Sequence, residues 1–267
     1  MRHLPRPRRH PVAKPITLLL ALFLMGGLYA VFSPADRSAA DGNVNSQIVQ
    51  GKELFQVSCA TCHGLGAEGT SAAPSLVGVG AAAVDFQVGT GRMPMAKPGA
   101  QGPRGKTEFT PAEISALAAY VASLGAGPGI PTSQQVSTNN LTAEEIARGG
   151  ELFRTNCSAC HNYEGDGGAL PNGKYAPSLG QTTASHIYEA VRTGPYAMPV
   201  FSSGTLTDQD VREIIGYLQT LHSTPNNGGF SLGGIGPVSE GLWGWIVGIG
   251  GLVMVATWLA RKGARAR

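Results

Sequence analysis

Two copies of one pattern, set 98 residues apart, constrain this chain more than any other feature of it. Gly51-Lys-Glu-Leu-Phe55 leads to Cys59, Cys62 and His63, and Gly149-Gly-Glu-Leu-Phe153 leads to Cys157, Cys160 and His161. Three further blocks recur in the same order. Ala73-Pro74-Ser75-Leu76 returns as Ala176-Pro177-Ser178-Leu179, Thr90-Gly91 with Met93-Pro94 as Thr193-Gly194 with Met198-Pro199, and Thr110 to Leu124 as Thr207 to Leu221. Four matched blocks in one order indicate two domains of common design.

Each copy reads as helix, CxxCH, long loop, helix. Thr110, Pro111 and Glu113 supply an N-cap, a first-turn proline and a capping-box acid, and Thr142 with Glu145 caps the helix before the second motif. Ile114, Leu117, Ala118, Val121 and Leu124 form one apolar stripe, which Val211, Ile214, Ile215, Leu218 and Leu221 repeat. No strand-like alternation competes, so the fold class is all-α. The expected layout is a basic tail (1–15), an apolar helix (16–32), a linker (33–46), a first domain (47–125), a Gly/Pro/Ser/Asn linker (126–140) and a second domain (141–223). A further linker (224–241), an apolar helix (242–260) and a second basic tail (261–267) complete it.

All four cysteines lie in the two CxxC pairs, leaving none for a structural disulfide. CxxC alone suits zinc or a thiol redox pair, but a histidine directly after the second cysteine is the haem-attachment pattern. Two thiols three residues apart lie on one side of a helical turn, where both can bond the vinyl groups of one haem, and His63 or His161 then meets the iron. Two covalently bound haem c groups are therefore expected, through Cys59 and Cys62 and through Cys157 and Cys160. Of the six methionines, Met1 begins the chain and Met25 and Met254 lie in apolar segments, leaving Met93, Met95 and Met198 as sixth ligands. Met198 precedes a proline in the second copy. Met93, which keeps the proline, is its counterpart in the first, with Met95 the alternative. His/Met ligation fills both axial positions and argues for electron transfer rather than catalysis at the iron. His186 and His222 have no partner in the other copy and read as surface residues.

Ile16 to Phe32 is 17 residues without a charge, and Leu242 to Ala260 is 19. The second spans roughly 28 Å as a helix, close to a bilayer's hydrocarbon thickness, with Trp243, Trp245 and Trp258 near its ends as interfacial anchors. The first reads either as a retained helix or as a signal peptide. Nine of the 20 Lys and Arg flank these segments at the two chain ends, leaving 11 against all 17 acids between them. That distribution excludes a basic nucleic-acid binder. With the first helix kept, the positive-inside rule puts both termini in the cytoplasm and the haem domains outside the cell membrane.

These residues resemble the class I cytochrome c family: Gly51 and Phe55 (Gly149 and Phe153) on the first helix, CxxCH, Pro-x-Leu, a loop methionine, and Tyr120 (Tyr217) on the last helix. The resemblance implies that the carbonyls of Pro74 and Pro177 orient His63 and His161, with Leu76 and Leu179 packing on the haem. Nearly the whole chain, including Val88-Gly-Thr-Gly-Arg-Met-Pro94 and Gly233 to Gly241, resembles the diheme cytochrome c subunits of actinobacterial cytochrome bcc complexes, menaquinol–cytochrome c reductases. That implies a cytochrome b subunit, a Rieske iron–sulfur subunit and a terminal haem-copper oxidase as partners, electrons passing from the Rieske protein through both haems to the oxidase, and no separate catalytic site in this chain. The alternatives are the diheme subunit of a cbb-type oxidase or of a periplasmic dehydrogenase.

Overall fold

The computed structural model describes residues 13–32, 35–223 and 237–265. Most of the expected basic tail 1–15 and of the linker 224–241 lies outside these residues. Helix α1 (Ala13–Phe32) carries the first apolar run, and the side chains of 14–29 are all exposed. Helix α2 (Ala35–Ser58) starts within the span expected as a linker, a stretch with no proline after position 34 to stop it.

The first copy continues with α3 (Ala60–His63), α4 (Gly80–Gly89) and α5 (Pro111–Ser123). The linker between the copies holds one helical turn, α6 (Ser133–Val136). The second copy comprises α7 (Ala143–Asn156), α8 (Ser158–His161), a ladder of β1 (Gly168–Ala169) and β2 (Tyr175–Ala176), α9 (Ala184–Thr193) and α10 (Asp208–Ser223). The antiparallel ladder pairs Gly168 with Ala176 and Ala169 with Tyr175. Two residues per strand are too few to show any alternation in the sequence, and the fold remains all-α as expected. Helix α11 (Pro237–Arg265) extends beyond the expected 242–260 at both ends, and its stretch Val238–Gly263 is long and apolar enough to cross a membrane.

Capping boxes close the helix starts that the sequence marks. Thr110 N–H donates to Glu113 Oε2 at 2.8 Å and Glu113 N–H to Thr110 Oγ1 at 3.3 Å, while Thr142 and Glu145 make the same pair at 2.7 and 3.2 Å. Within each copy the first and last helices cross at a glycine. A Cβ on Gly51 would stand 1.9 Å from the Ala116 carbonyl oxygen, and one on Gly149 2.0 Å from that of Glu213. One turn further on, Phe55 meets Tyr120 at 5.3 Å between ring centroids and Phe153 meets Tyr217 at 5.7 Å. Both phenylalanines are fully buried, a burial worth about 1.5–3 kcal/mol each. Around them gather Ile114, Leu117 and Val121 in one core and Val211, Ile214, Ile215 and Leu218 in the other.

The two copies also touch each other, through α4 and α9. Every residue of α4 is at least half-buried, because one side faces its own core and the other faces the second copy. Phe86 sets its ring edge-on against His186 at 6.0 Å, and the Tyr196 hydroxyl donates to Gln87 Oε1 at 3.1 Å.

Candidate haem sites

Each motif is a short turn appended to the first helix of its copy. Cys62 N–H donates to the Cys59 carbonyl at 3.1 Å and His63 N–H to the same oxygen at 3.0 Å, and Cys160 and His161 do likewise to Cys157 at 3.2 and 2.9 Å. The following loops repeat as well, with Gly69 N–H on the His63 carbonyl (2.7 Å) and Gly167 N–H on that of His161 (2.8 Å). This folds the loop back so that a proline carbonyl faces the ring. His63 Nδ1–H donates to Pro74 O at 2.8 Å and His161 Nδ1–H to Pro177 O at 3.0 Å. The bond fixes tautomer and ring plane, leaving Nε2 as the atom for a metal. Burial pushes the His161 pKa down, against the opposing pull of the Pro177 carbonyl, so the ring is held in the neutral form that ligates. Burial first, and the neighbouring cysteine second, pushes the Cys59 and Cys157 thiols up to about 11.

In the second copy, Met198 sits on a loop that a buried arginine ties down. Arg192 Nη1 donates to the carbonyls of Phe201 (3.0 Å) and Leu206 (2.7 Å), and Nη2 pairs with Asp208 at 2.7 Å. Hydrogen bonds from Gln135 and Tyr188, together with Arg192, hold Asp208 down at about 2, so this anchor is ionised at any physiological pH. Gly194 turns the chain into the loop with φ +60°, where a Cβ would meet Val200 Cγ2 at 2.6 Å. In the first copy, Met93 is half-buried against the core of Phe55 and Leu117, as are Leu76 and Cys59. Met95 instead lies beside Gly99, its Cε 3.3 Å from where a Cβ there would stand.

His161, Met198, Cys157, Cys160, Pro177 and Leu179 all line one cleft with about 1230 Å³ of empty space, its open mouth included. Its floor is apolar, with Phe153, Ile187, Val191, Ile214 and Leu218. Two thiols, an imidazole, a thioether and apolar side chains lining one cleft are what a covalently held haem requires. The residues present fit that group.

The repeat pattern does not reveal that the first copy supplies part of this cleft, through Phe86, Thr90, Arg92, Gln101 and Arg104. One signal was available: α4 is apolar apart from Asp85 and Gln87, so more of its surface than a single face calls for cover. His186, expected at the surface, is instead half-buried against the first copy, its Nε2 3.7 Å from Asp85 and 4.0 Å from Glu189. His222 is exposed as expected, bonded to its own Leu218 carbonyl. Glu189 is fully buried, with neither carboxylate oxygen hydrogen-bonded. Burial first, and Asp85 second, pushes it up to about 9. The three ligand atoms lie within 4.8 Å of one another, and such a trio suits a cation or a shared proton. Burial first lowers the pKa of His186, Asp85 opposes that shift, and the charges of Arg104 and Arg92 add to it.

The fold and both sites define a tandem cytochrome c. The model of the family described as cytochrome c oxidase, cbb3-type, subunit III matches twice, over residues 46–121 and 144–218. The chain is 42% identical to the cytochrome bc1 complex cytochrome c subunit of Mycobacterium tuberculosis, over 96% of this chain and 93% of that one. It is 41% identical to that of Corynebacterium efficiens, over 96% and 91%. A 1-butanol dehydrogenase (cytochrome c) of Thauera butanivorans is 31% identical over only 37% of this chain and 15% of its own length. The chain belongs to the family of cytochrome bc1 complex cytochrome c subunits. Its cytochrome c domains imply covalently bound haem c.

Proposed function

We propose that this chain carries two haem c groups and conducts electrons through both, as the membrane-anchored subunit that joins a Rieske iron–sulfur protein to a terminal haem-copper oxidase. Haem c bonds through Cys59 and Cys62 in the first copy, with His63 and Met93 as axial ligands, and through Cys157 and Cys160 in the second, with His161 and Met198. The haem supplies the one-electron couple. The chain supplies imidazoles oriented by Pro74 and Pro177, apolar walls that exclude water, and thioethers that close the sixth position. With both axial positions filled, no open site for oxygen or substrate is left, so the chain acts within an oxidoreductase complex and has no catalytic centre of its own.

The observation that carries this reading is the shared wall of the second cleft. Packing of α4 on α9 makes the two copies one body, which suits a fixed two-step conductor better than two tethered carriers. Full-length similarity to bc1-complex subunits favours that host over a dehydrogenase, whose likeness stops at one cytochrome segment. Helices α1 and α11 hold the domains at the outer face of the membrane with both termini cytoplasmic, and the tether raises effective concentration at both partners without tight binding. Gentle detergent extraction is expected to yield the chain with a b-type cytochrome, a Rieske protein and oxidase subunits, its intact mass carrying two haem additions. Recovery alone or with a soluble dehydrogenase, or a mass showing fewer than two haems, rejects the assignment.

Met93 is preferred to Met95 because it packs on the core of the first copy, as Leu76 and Cys59 do. Met93→Leu is expected to abolish the methionine-to-iron absorption band of the first haem, while Met95→Leu keeps it. The reverse result reassigns the ligand.

A further inference from the structure

The second cleft has a wall that its own copy does not provide. Arg92 and Arg104 line it beside Tyr175 and Tyr196. Arg92 is 7% exposed, its guanidinium stacked over Phe86 at 4.8 Å. Among the described residues, neither arginine forms an ion pair with a carboxylate. Burial first lowers the Arg92 pKa, and the ionisable side chains that act on it are Tyr196, Tyr175 and Arg104, with no carboxylate among them. Among the described residues, the hydrogen bonds that Arg104 makes are long ones to the Gln181 carbonyl, at 3.4 and 3.5 Å.

A guanidinium cannot shed its proton, and burying its charge without a counter-charge is costly. Of the two, Arg92 is the buried one and Arg104 is exposed, and the loop that carries both is fastened to the second copy at Gln101. Gln101 Nε2 donates to the Tyr175 carbonyl at 2.8 Å, and Tyr175 N–H donates to Gln101 Oε1 at 2.9 Å. Gly102 lies so close to the Tyr196 hydroxyl that a Cβ would stand 2.6 Å from it. Two cations are thus held at the mouth of an apolar cleft without an anion. A planar apolar ligand carrying carboxylates complements that arrangement, and guanidinium–carboxylate pairing is geometrically specific.

We propose that Arg92 and Arg104 form a carboxylate-binding subsite that reaches from the first copy into the second cleft and holds the propionates of the haem bound there. The inference rests on the reading of that cleft as a haem site. Each guanidinium would add positive charge at the haem and so disfavour the ferric state, which raises the potential. The second haem site is then complete only when the two copies are docked.

The test is a potentiometric titration of the full chain in detergent, with two waves. Met198→His assigns the second wave, because imidazole in place of the thioether lowers that haem's potential. Arg104→Gln is expected to lower the second wave and leave the first in place. With Arg92→Gln added, the oxidised-to-reduced ratio at fixed potential is expected to change about tenfold, a shift of about 59 mV for one electron. Arg104→Lys, which keeps the charge, is expected to hold the wave near its original position. Arg92 adjoins Met93, so Arg104 decides. A second wave unmoved in Arg104→Gln, or a shift confined to the first wave, overturns the subsite. A proteolytic peptide containing Cys157 and Cys160 whose mass carries no haem overturns the underlying haem assignment instead.

Discussion

Glu189→Gln is expected to make the protein more stable at pH 8 and to remove most of the pH dependence of its stability above pH 5. Glu189 is buried in the contact between the copies with neither oxygen hydrogen-bonded, and burial raises its pKa from 4.5 to about 9. Between those values the folded chain binds a proton that the unfolded chain has released. Stability is therefore fully present below about 4.5 and is lost progressively as pH rises through about 9, with a slope of about 1.4 kcal/mol per pH unit while only the folded state is protonated. The groups facing this carboxyl do not reverse the sign. Asp85 on α4 raises it further, and His186 on α9, kept largely neutral by burial, offers no fixed positive charge. Glutamine keeps the shape and removes the titration. Chemical denaturation of the full chain from pH 5 to 9, for both proteins, decides the matter. Parallel curves sink the idea. A variant weaker at every pH would show that the carboxylate is ionised in the native protein and held by a cation with Asp85 and His186.

Gly149→Ala is expected to destabilise the second copy by about 1–3 kcal/mol or more, the usual cost of overpacking a core. Alanine would otherwise be favoured in a helix by about 1 kcal/mol, so the sign depends on the crossing. The added methyl would meet the backbone of α10, 2.0 Å from the Glu213 oxygen and 2.3 Å from its carbonyl carbon, and backbone cannot move aside as a side chain can. Separating α7 from α10 would also loosen the contact of Phe153 with Tyr217 and strain the ion pairs of Arg148 with Asp210 and Glu213. Gly129, around which nothing lies within 4 Å of a Cβ, is the control, and Gly129→Ala should leave the denaturation midpoint nearly unchanged. Equal midpoints for Gly149→Ala and the unaltered chain would mean that the helices do not cross there.

Much of each copy was legible because its signals are local or repeated. Thr110 with Glu113 and Thr142 with Glu145 mark helix starts through bonds that span three residues. The stripe of Ile114, Leu117 and Val121 marks a buried face through periodicity alone. The position of His186 was not legible, because the contact between the copies uses Gln87, Gln101, Arg104 and Asp85, which a periodicity argument assigns to solvent. The β1–β2 ladder escaped because it is shorter than the smallest alternating pattern, and the early start of α2 because small polar residues favour neither helix nor coil strongly.

By itself the sequence determined the chemistry that covalent order dictates. Cysteines three residues apart with an adjoining histidine lie within one helical turn whatever surrounds them, and uncharged runs at the two ends of the described chain seek an apolar medium. It also determined that there are two such units, since a repeat in sequence is a repeat in fold. The tertiary structure alone decided that these units are unequal. Docking α4 on α9 brings Phe86, Arg92 and Arg104 to a cleft whose cysteines, histidine and methionine belong to the other copy. No spacing along the chain encodes that arrangement, because it depends on which faces of two separately folded units meet in space.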